Sequence, residues 1–162
     1  MAAIEDSNHT RFMQRAIELA HQGMDSNQGG PFGCVIVKNG EIIAEGFNRV
    51  TSTNDPTAHA EVVAIRQACE VLESFQLAGC TIYTSCEPCP MCLGAIYWAR
   101  PGAVFYAASR QDAAAIDFDD QFIYNEIEQP IENRHIPFTQ INRQNARELF
   151  TQWQKKSDKT EY

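Results

Sequence analysis

Apolar and polar residues alternate at two different periods in the first part of the chain. Over residues 10–24 the apolar positions recur every three to four residues, which predicts an amphipathic helix that ends before Gly29-Gly30-Pro31. Residues 33–38 and 41–47 then flank Asn39-Gly40, the dipeptide most typical of a tight β-hairpin turn. The sequence therefore predicts one helix followed by an antiparallel pair of strands.

Helices and strands alternate through the rest of the chain. A helix begins near His59, and it is followed by a buried strand at residues 80–84, a second helix at 89–99 and a strand at 103–107. This order predicts an α/β fold, a three-layer α/β/α sandwich around a mixed sheet whose later strands run parallel. Side chains at the helix starts are then expected to meet just beyond the strand ends. A last helix is predicted at residues 145–156.

The length and composition favour a single domain over residues 1–162. No apolar run approaches the roughly 18 residues of a membrane span, and the first residues lack the basic region of a secretory signal, so we expect a cytoplasmic protein. The net charge of -8 disfavours a broad phosphate-binding surface and favours a small neutral substrate over a nucleic acid. The six cysteines are not expected to form a disulfide framework, because the chain is long enough to bury a core.

Two short motifs, His59-Ala60-Glu61 and Cys89-Pro90-Met91-Cys92, carry candidate chemistry. A closed structural zinc site usually takes four protein ligands, whereas a catalytic site keeps three and leaves the fourth position for water. His59, Cys89 and Cys92 supply three such ligands, and Glu61 is left as a catalytic acid and base. H-x-E together with P-C-x-x-C is the signature of zinc deaminases that act on nucleobases. A purely structural zinc site is the alternative.

Both motifs are expected at the starts of their helices. Residues two positions apart lie on different sides of a helix, so His59 and Glu61 can converge on a metal only near the helix end, with Thr57 as the expected N-cap. The two cysteines of the second motif, three positions apart, share one face of an opening turn. Cys86, three residues before Cys89, is an alternative ligand or a neighbouring thiol.

With these motifs the chain resembles the cytidine deaminase superfamily, and within it the bacterial guanine deaminases. The residues that carry the resemblance are Gly29-Gly30-Pro31-Phe32-Gly33, the run from Asn54 to Glu61, the run from Ser85 to Arg100, Phe118-Asp119-Asp120 and the terminal Glu161-Tyr162. The first three blocks are shared by nucleobase deaminases in general, whereas the last two look like guanine deaminase. Asp117 departs from this pattern, because a small residue is expected there.

The resemblance implies a cytidine deaminase-like fold, a Zn²⁺ cofactor and the hydrolytic deamination of guanine to xanthine and ammonia, in purine catabolism or salvage. It also implies a homodimer in which a C-terminal segment of about residues 143–162 is exchanged between the two subunits. The expected partners are therefore a small purine base and a second copy of the chain, and no membrane.

Several residues are expected to bind the substrate. Those implied by the resemblance are Asn48, Phe32, Asp120, Tyr162 and Trp98. Asn48 would hydrogen-bond the purine edge, Phe32 would stack on the ring, and Asp120 would accept N–H bonds from the base. Tyr162 would close the pocket from the partner subunit. The backbone amide of Ala60 or Cys89 is expected to stabilise developing negative charge, because N–H groups at helix starts are unpaired.

Other interpretations stay open from the sequence. An adenosine deaminase that edits transfer RNA shares the zinc motifs, but it needs a basic surface, and this chain has only a small lysine patch near its C-terminus. A cytosine or pteridine deaminase would use the same chemistry, and a non-catalytic interaction module stabilised by zinc would use none. Among the pocket residues, Phe32 has an alternative role in the core, Asn48 in a turn and Asp120 as a helix N-cap.

Overall fold

The predicted hairpin forms the beginning of the sheet. The structure, a computed structural model, describes the backbone of residues 2–161 and the side chains of residues 8–161. Strands β1 (Gly33–Lys38) and β2 (Glu41–Phe47) have the predicted bounds and pair antiparallel. Asn39 and Gly40 join them with φ values of 53° and 81°. Asn and Gly tolerate this left-handed backbone, and the resulting turn matches the twist of the flanking strands.

The remaining elements include the predicted strands and helices in the predicted order, together with short helices that the sequence pattern did not predict. Their bounds are α1 (Ala2–Asp25), α2 (Val50–Thr53), α3 (Ala60–Leu72), β3 (Cys80–Cys86), α4 (Pro90–Ala99), β4 (Ala103–Ala108), α5 (Arg110–Ala114), α6 (Gln121–Glu128), a 3-10 helix (Ile131–Asn133) and α7 (Arg143–Lys155). The strand order is β2-β1-β3-β4, with β1 antiparallel to both neighbours and β3 parallel to β4. The predicted mixed sheet with parallel later strands is confirmed.

Helices cover the sheet on both faces. In β1, Val35 belongs to a buried cluster with Leu19 of α1, whereas the next residue, Ile36, belongs to another buried cluster with Ala64 of α3 and Ile96 of α4. Successive residues of a strand point to opposite faces. This alternation places α1 on one side of the sheet and both α3 and α4 on the other, which confirms the three-layer α/β/α arrangement.

The chain divides into two compact units, residues 1–120 and residues 121–162. The first unit contains the sheet and helices α1 to α5. The second contains α6, the 3-10 helix and α7, and none of its described residues is buried. No helix in the described part of the chain has the length and apolar character needed to cross a membrane.

Candidate active site

The three predicted metal ligands lie together in the first unit. The Nδ1 atom of His59 is 3.5 Å from the Sγ of Cys89 and 3.5 Å from the Sγ of Cys92. A tetrahedral zinc ion with Zn–N and Zn–S distances of about 2.1 and 2.3 Å would hold such atoms about 3.6 Å apart. No fourth protein ligand joins the group among the described residues. The donor atoms and their spacing therefore fit Zn²⁺, and three protein ligands are the number typical of a catalytic site.

Helix starts position the ligands. His59 is the N-cap of α3 and Cys89 is the N-cap of α4, both with extended backbone at ψ values of 155° and 168°. Pro90 takes the first position of α4, where a missing N–H is tolerated because first-turn amides have no helical partner. Two helix N-termini with partial positive charge thus lie at the ligand group, which favours thiolates there.

The prediction that Thr57 caps α3 is wrong. Both the backbone N–H and the hydroxyl of Thr57 donate to Oδ1 of Asp55, at 2.8 and 2.6 Å. The preceding carboxylate thus engages Thr57 in a local turn, and the helix begins two residues further on, with His59 as its cap.

The charges of the ligand group favour a bound cation. The hydrogen bond from Cys92 is the largest cause that lowers the pKa of Cys89 to about 4, and the same contact raises the pKa of Cys92. The pKa of His59 is raised by its hydrogen bond with Cys89. In the absence of a cation, one sulfur is therefore ionised at the expense of the other. A divalent ion offsets the repulsion between two thiolates, so the pair suits a metal with +2 charge.

Glu61 lies beside the ligand group without joining it. Its carboxylate oxygen Oε2 accepts a hydrogen bond from the Sγ of Cys92 at 3.4 Å, and the residue is only 6% exposed. Burial is the main cause that raises the pKa of this carboxyl above 4.5. A buried carboxyl that binds no metal and ionises less readily than usual is suited to accept protons and return them.

Cys86 lies outside the ligand group. Its Sγ donates a hydrogen bond to the carbonyl oxygen of Ser109 at 3.6 Å, and burial raises its pKa to about 11. The thiol therefore stays protonated at neutral pH. Its contact connects the end of β3 to the turn that precedes α5.

Asn48 and Phe32 are neighbours in the structure. The backbone N–H of Asn48 donates to the carbonyl oxygen of Phe32 at 3.0 Å, and the side-chain oxygen of Asn48 accepts from the N–H groups of Gly30 and Val50. The ring of Phe32 meets the ring of Phe118 edge-on, with centroids 4.9 Å apart. The predicted amide contact and the predicted stacking ring therefore lie close to each other, next to a second aromatic ring.

The other predicted substrate residues lie at separate places. Ala60 is fully buried at the first position of α3. Asp120 is partly buried directly before α6, and its pKa is raised first by burial and then by the charge of Cys89. Trp98 lies on α4 with 65% of its surface exposed. Tyr162 lies outside the described residues.

Two polar side chains that the sequence did not single out support the segments around the site. The hydroxyl oxygen of Ser85 accepts a hydrogen bond from the N–H of Gly33 at 3.0 Å, and Glu87 accepts one from the N–H of Arg110 at 3.1 Å. These partners are 52 and 23 positions apart in the chain, so no local sequence pattern signals them. The first contact joins β3 to the start of β1, and the second joins the connection after β3 to the start of α5.

The chain is similar to known proteins in sequence and in structure. The family model of the cytidine and deoxycytidylate deaminase zinc-binding region matches residues 6–108. Guanine deaminase of Bacillus subtilis (strain 168) is 60% identical over 155 residues, which cover 96% of this chain and 99% of the relative. An X-ray structure of guanine deaminase from Bacillus subtilis matches with a TM-score of 0.93 at 60% identity, over 95% of this chain and 98% of that chain.

Other relatives are similar at lower sequence identity. The tRNA-specific adenosine deaminase of Aquifex aeolicus (strain VF5) is 32% identical over 146 residues, which cover 90% of this chain and 93% of the relative. A solved structure in complex with 2,6-diaminopurine is 34% identical with a TM-score of 0.65, over 67% of this chain and 61% of that chain. From its zinc motifs, their geometry and these similarities, the chain belongs to the cytidine and deoxycytidylate deaminase family of zinc-dependent enzymes.

Proposed function

We propose that this protein removes the amino group of guanine by hydrolysis, giving xanthine and ammonia, with Zn²⁺ as its cofactor. One observation carries the proposal. Three zinc ligands lie together with a buried carboxylate, Glu61, that is 3.4 Å from the Sγ of Cys92 and binds no metal itself. The 60% identity to a guanine deaminase, over 99% of that relative, supports guanine as the substrate. The reaction would serve purine catabolism or salvage in the cytoplasm.

Glu61 handles the protons of this reaction. His59, Cys89 and Cys92 would hold Zn²⁺, which would supply a water molecule of lowered pKa at neutral pH. Glu61 accepts a proton from that water and delivers protons to a ring nitrogen and to the departing amine. The water oxygen forms a bond to C2 of guanine, the bond between C2 and the amino nitrogen breaks, and ammonia leaves.

Backbone amides at the two helix starts stabilise the negative charge that develops during attack. Amides in the first turn of a helix have no carbonyl partner within the helix. Ala60 is the first residue of α3 and directly follows the ligand His59 in the chain. Cys89, the N-cap of α4, is itself a ligand. The N–H groups of both residues are therefore close to the proposed metal position. Donors held in fixed positions stabilise a developing charge without having to reorganise.

The substrate pocket extends from the ligand group towards Asn48 and Phe32. The N–H of Arg49 donates to the carbonyl oxygen of Ala58 at 2.9 Å, so the segment that carries Asn48 is bonded to the residue before His59. We assign Phe32 to stacking on the purine ring, Asn48 to its polar edge and Asp120 to its N–H groups. Trp98 would line the pocket, and Tyr162 would close it.

The proposed reaction is tested by ammonia release from guanine, adenine, cytosine and a transfer RNA anticodon stem. The zinc-loaded protein should act on guanine and show little activity on the other three. Its net charge of -8 supports a small base over a polyanion. Activity on the anticodon stem that falls steeply with added salt, with guanine left unchanged, would instead identify a transfer RNA editing enzyme.

We further propose that the protein is a homodimer in which residues 143–162 are exchanged between subunits. Each unit has exposed apolar side chains that a partner subunit could cover. In the second unit these are Phe122, Ile127, Ile131, Ile136, Phe138, Ile141, Leu149, Phe150 and Trp153. In the first unit, Phe105 and Tyr106 are exposed on the edge strand β4, and Tyr97 is 75% exposed on α4. Apolar surface of this extent is typical of a protein interface, and a second copy of the chain would cover it.

Mixed dimers test the exchange directly. One chain carries Glu61→Ala, and the other lacks Tyr162, so neither homodimer has a complete site under the proposal. In a mixed dimer with exchanged termini, the first chain gives its Tyr162 to the site that still has Glu61, and guanine turnover should reappear on mixing. Dimers that form but stay inactive would contradict the exchange, and a monomer in solution would contradict the dimer.

A further inference from the structure

The side chain of Asn48 is held through its oxygen atom. Oδ1 accepts hydrogen bonds from the backbone N–H of Gly30 at 3.3 Å and from the backbone N–H of Val50 at 3.1 Å. Both partners are backbone amides and can only donate. The atom facing them must be the amide oxygen, because an NH₂ group in that place would set donors against donors. The backbone thus determines which end of the amide points away.

The NH₂ end of Asn48 has no partner among the residues whose side chains the structure describes. Its Nδ2 makes no hydrogen bond to any described residue, although the residue is only 5% exposed. Arg134 Nε is the one fully buried side-chain nitrogen or oxygen without a partner in the described part of the chain, so Nδ2 of Asn48 keeps access to solvent. Buried amides normally use their donors, which leaves these two N–H groups for a ligand.

Gly29 makes this arrangement sterically possible. A Cβ atom at residue 29 would collide with Oδ1 of Asn48 and would lie 2.5 Å from its carbonyl oxygen and 2.8 Å from its carbonyl carbon. Two of these three contacts are with backbone atoms, which cannot move aside as a flexible side chain does. Any side chain at position 29 would therefore displace Asn48.

The segments on either side of this contact are bonded to each other. The carbonyl oxygen of Gln28 accepts hydrogen bonds from the backbone N–H of Ser52 at 3.2 Å and from the hydroxyl of Thr51 at 3.0 Å. The loop before Gly29 and the turn after Asn48 are thus fixed at a second point. These bonds further restrict rotation of the side-chain amide of Asn48.

We propose that Gly29, Gly30 and Val50 are positioning residues that make Asn48 an obligate hydrogen-bond donor in the substrate pocket, which therefore selects a purine base with an acceptor on the facing edge. The inference rests on the proposed deamination of a purine base. Guanine fits this requirement, because its O6 and N7 are neighbouring acceptors, whereas adenine carries an amino donor in place of O6. A site whose polarity is fixed rejects a base that would leave its polar group unpaired.

Replacing the amide by a carboxylate tests its polarity. Asn48→Asp keeps an oxygen for the N–H groups of Gly30 and Val50, and those bonds favour the ionised carboxylate, which cannot donate to the base. In the zinc-loaded protein, kcat/KM for guanine should fall by about 10- to 100-fold in Asn48→Ala and by at least as much in Asn48→Asp. Near wild-type kcat/KM in Asn48→Asp, with a loss in Asn48→Ala, would overturn the proposal, because the amide would then be an acceptor for the base.

A glycine pair tests the positioning. Gly29→Ala should lower kcat/KM for guanine by about 10-fold or more, because it displaces Asn48. Gly102→Ala is the matched control, since a Cβ there comes no closer than 3.4 Å to the carbonyl oxygen of Cys80, and it should behave like wild type. Equal kcat/KM in Gly29→Ala and Gly102→Ala would remove Gly29 from the proposal.

Amide hydrogen exchange separates failure of this inference from failure of the proposed reaction. Without any substrate, the N–H groups of Gly30 and Val50 should exchange faster in Asn48→Ala than in wild type and should stay protected in Asn48→Asp. If exchange at Gly30 and Val50 were unchanged in Asn48→Ala, the proposed hydrogen bonds to Asn48 would be overturned, even in an enzyme that deaminates guanine. Faster exchange in Asn48→Ala than in wild type, in a protein whose wild-type form does not convert guanine, would support the hydrogen bonds to Asn48 and reject only the substrate.

Discussion

The Sγ of Cys92 lies 3.4 Å from Oε2 of Glu61, so a metal ligand and the proposed proton carrier are in direct contact. This contact places the carboxylate at the edge of the metal's surroundings while its burial keeps bulk water away. A proton carrier in that place can reach both the attacking water and the departing amine. We therefore expect the reaction to depend on Glu61 and metal binding to be independent of it.

Glu61→Gln is expected to separate these two properties. The amide has nearly the same shape but cannot accept and return a proton, so kcat for guanine should fall by at least about 100-fold. Zinc content, measured by atomic absorption on the purified protein, should stay at the wild-type level because the three ligands are intact. Wild-type turnover in this variant would remove Glu61 from the mechanism.

The cysteines differ in their expected effect on metal content. Cys92→Ser replaces a thiolate ligand and should lower both the zinc content and the melting temperature, because metal binding stabilises the folded state. Cys86→Ser is the matched control. A serine hydroxyl at position 86 can still donate to the carbonyl oxygen of Ser109, so zinc content should be unchanged. Loss of zinc in Cys86→Ser would show that Cys86 contributes to the metal site.

A bidentate ion pair between α1 and β2 is expected to make stability depend on pH. Arg15 donates to the two carboxylate oxygens of Glu45 at 2.7 and 2.8 Å, and this hydrogen bonding lowers the pKa of Glu45 below 4.5. A lowered folded-state pKa means that the stabilisation is fully present above about pH 4.5 and is lost as the pH falls through the folded-state value.

Glu45→Gln should therefore lower the free energy of unfolding at neutral pH by about 0.5 to 1 kcal/mol, a range that allows for the partial exposure of both side chains. The difference from wild type should vanish in acid, as measured by urea denaturation across the pH range. Glu18→Gln is the control, because Glu18 is more exposed and its contact with Arg15 is longer, 3.4 Å. A Glu45→Gln difference that persists in acid would show that the charge of Glu45 is not its cause.

Asp117 adopts a backbone conformation that most residues avoid. Its φ is 70°, in the left-handed region that favours glycine and is tolerated by Asp and Asn. Asp117→Gly should therefore keep the melting temperature close to that of wild type. Asp117→Val should lower the free energy of unfolding by about 1 to 2 kcal/mol, because a branched side chain strains this conformation. Equal stability of the two variants would show that the loop rearranges.

The sequence predicts most of the fold because its local signals are strong. The Asn39-Gly40 turn sets the bounds of β1 and β2, and both strands end where the hairpin pattern predicts. The predicted strand at residues 80–84 is two residues short, because pairing of Cys86 with Ala108 of β4 extends β3. Such pairing depends on a strand more than twenty residues away, and local periodicity does not contain it.

The zinc ligands are also predictable, since two short motifs place them at helix starts. The cap of α3 is not, because Thr57 prefers the side chain of Asp55 over the helix amides. The hydrogen bonds that hold the side chain of Asn48 likewise cannot be predicted from the sequence. They require Gly29 and Gly30, eighteen to nineteen positions earlier in the chain, to lie against the amide, and only the folded structure brings them there.

The most direct test of the central account is the conversion of guanine in water enriched in oxygen-18. Zinc-loaded wild-type protein should release ammonia and form xanthine that carries the label at C2, and Glu61→Gln should form almost none. Xanthine without the label would contradict hydrolysis by a water molecule. Absence of any guanine turnover, in a protein with full zinc content, would contradict guanine as the substrate.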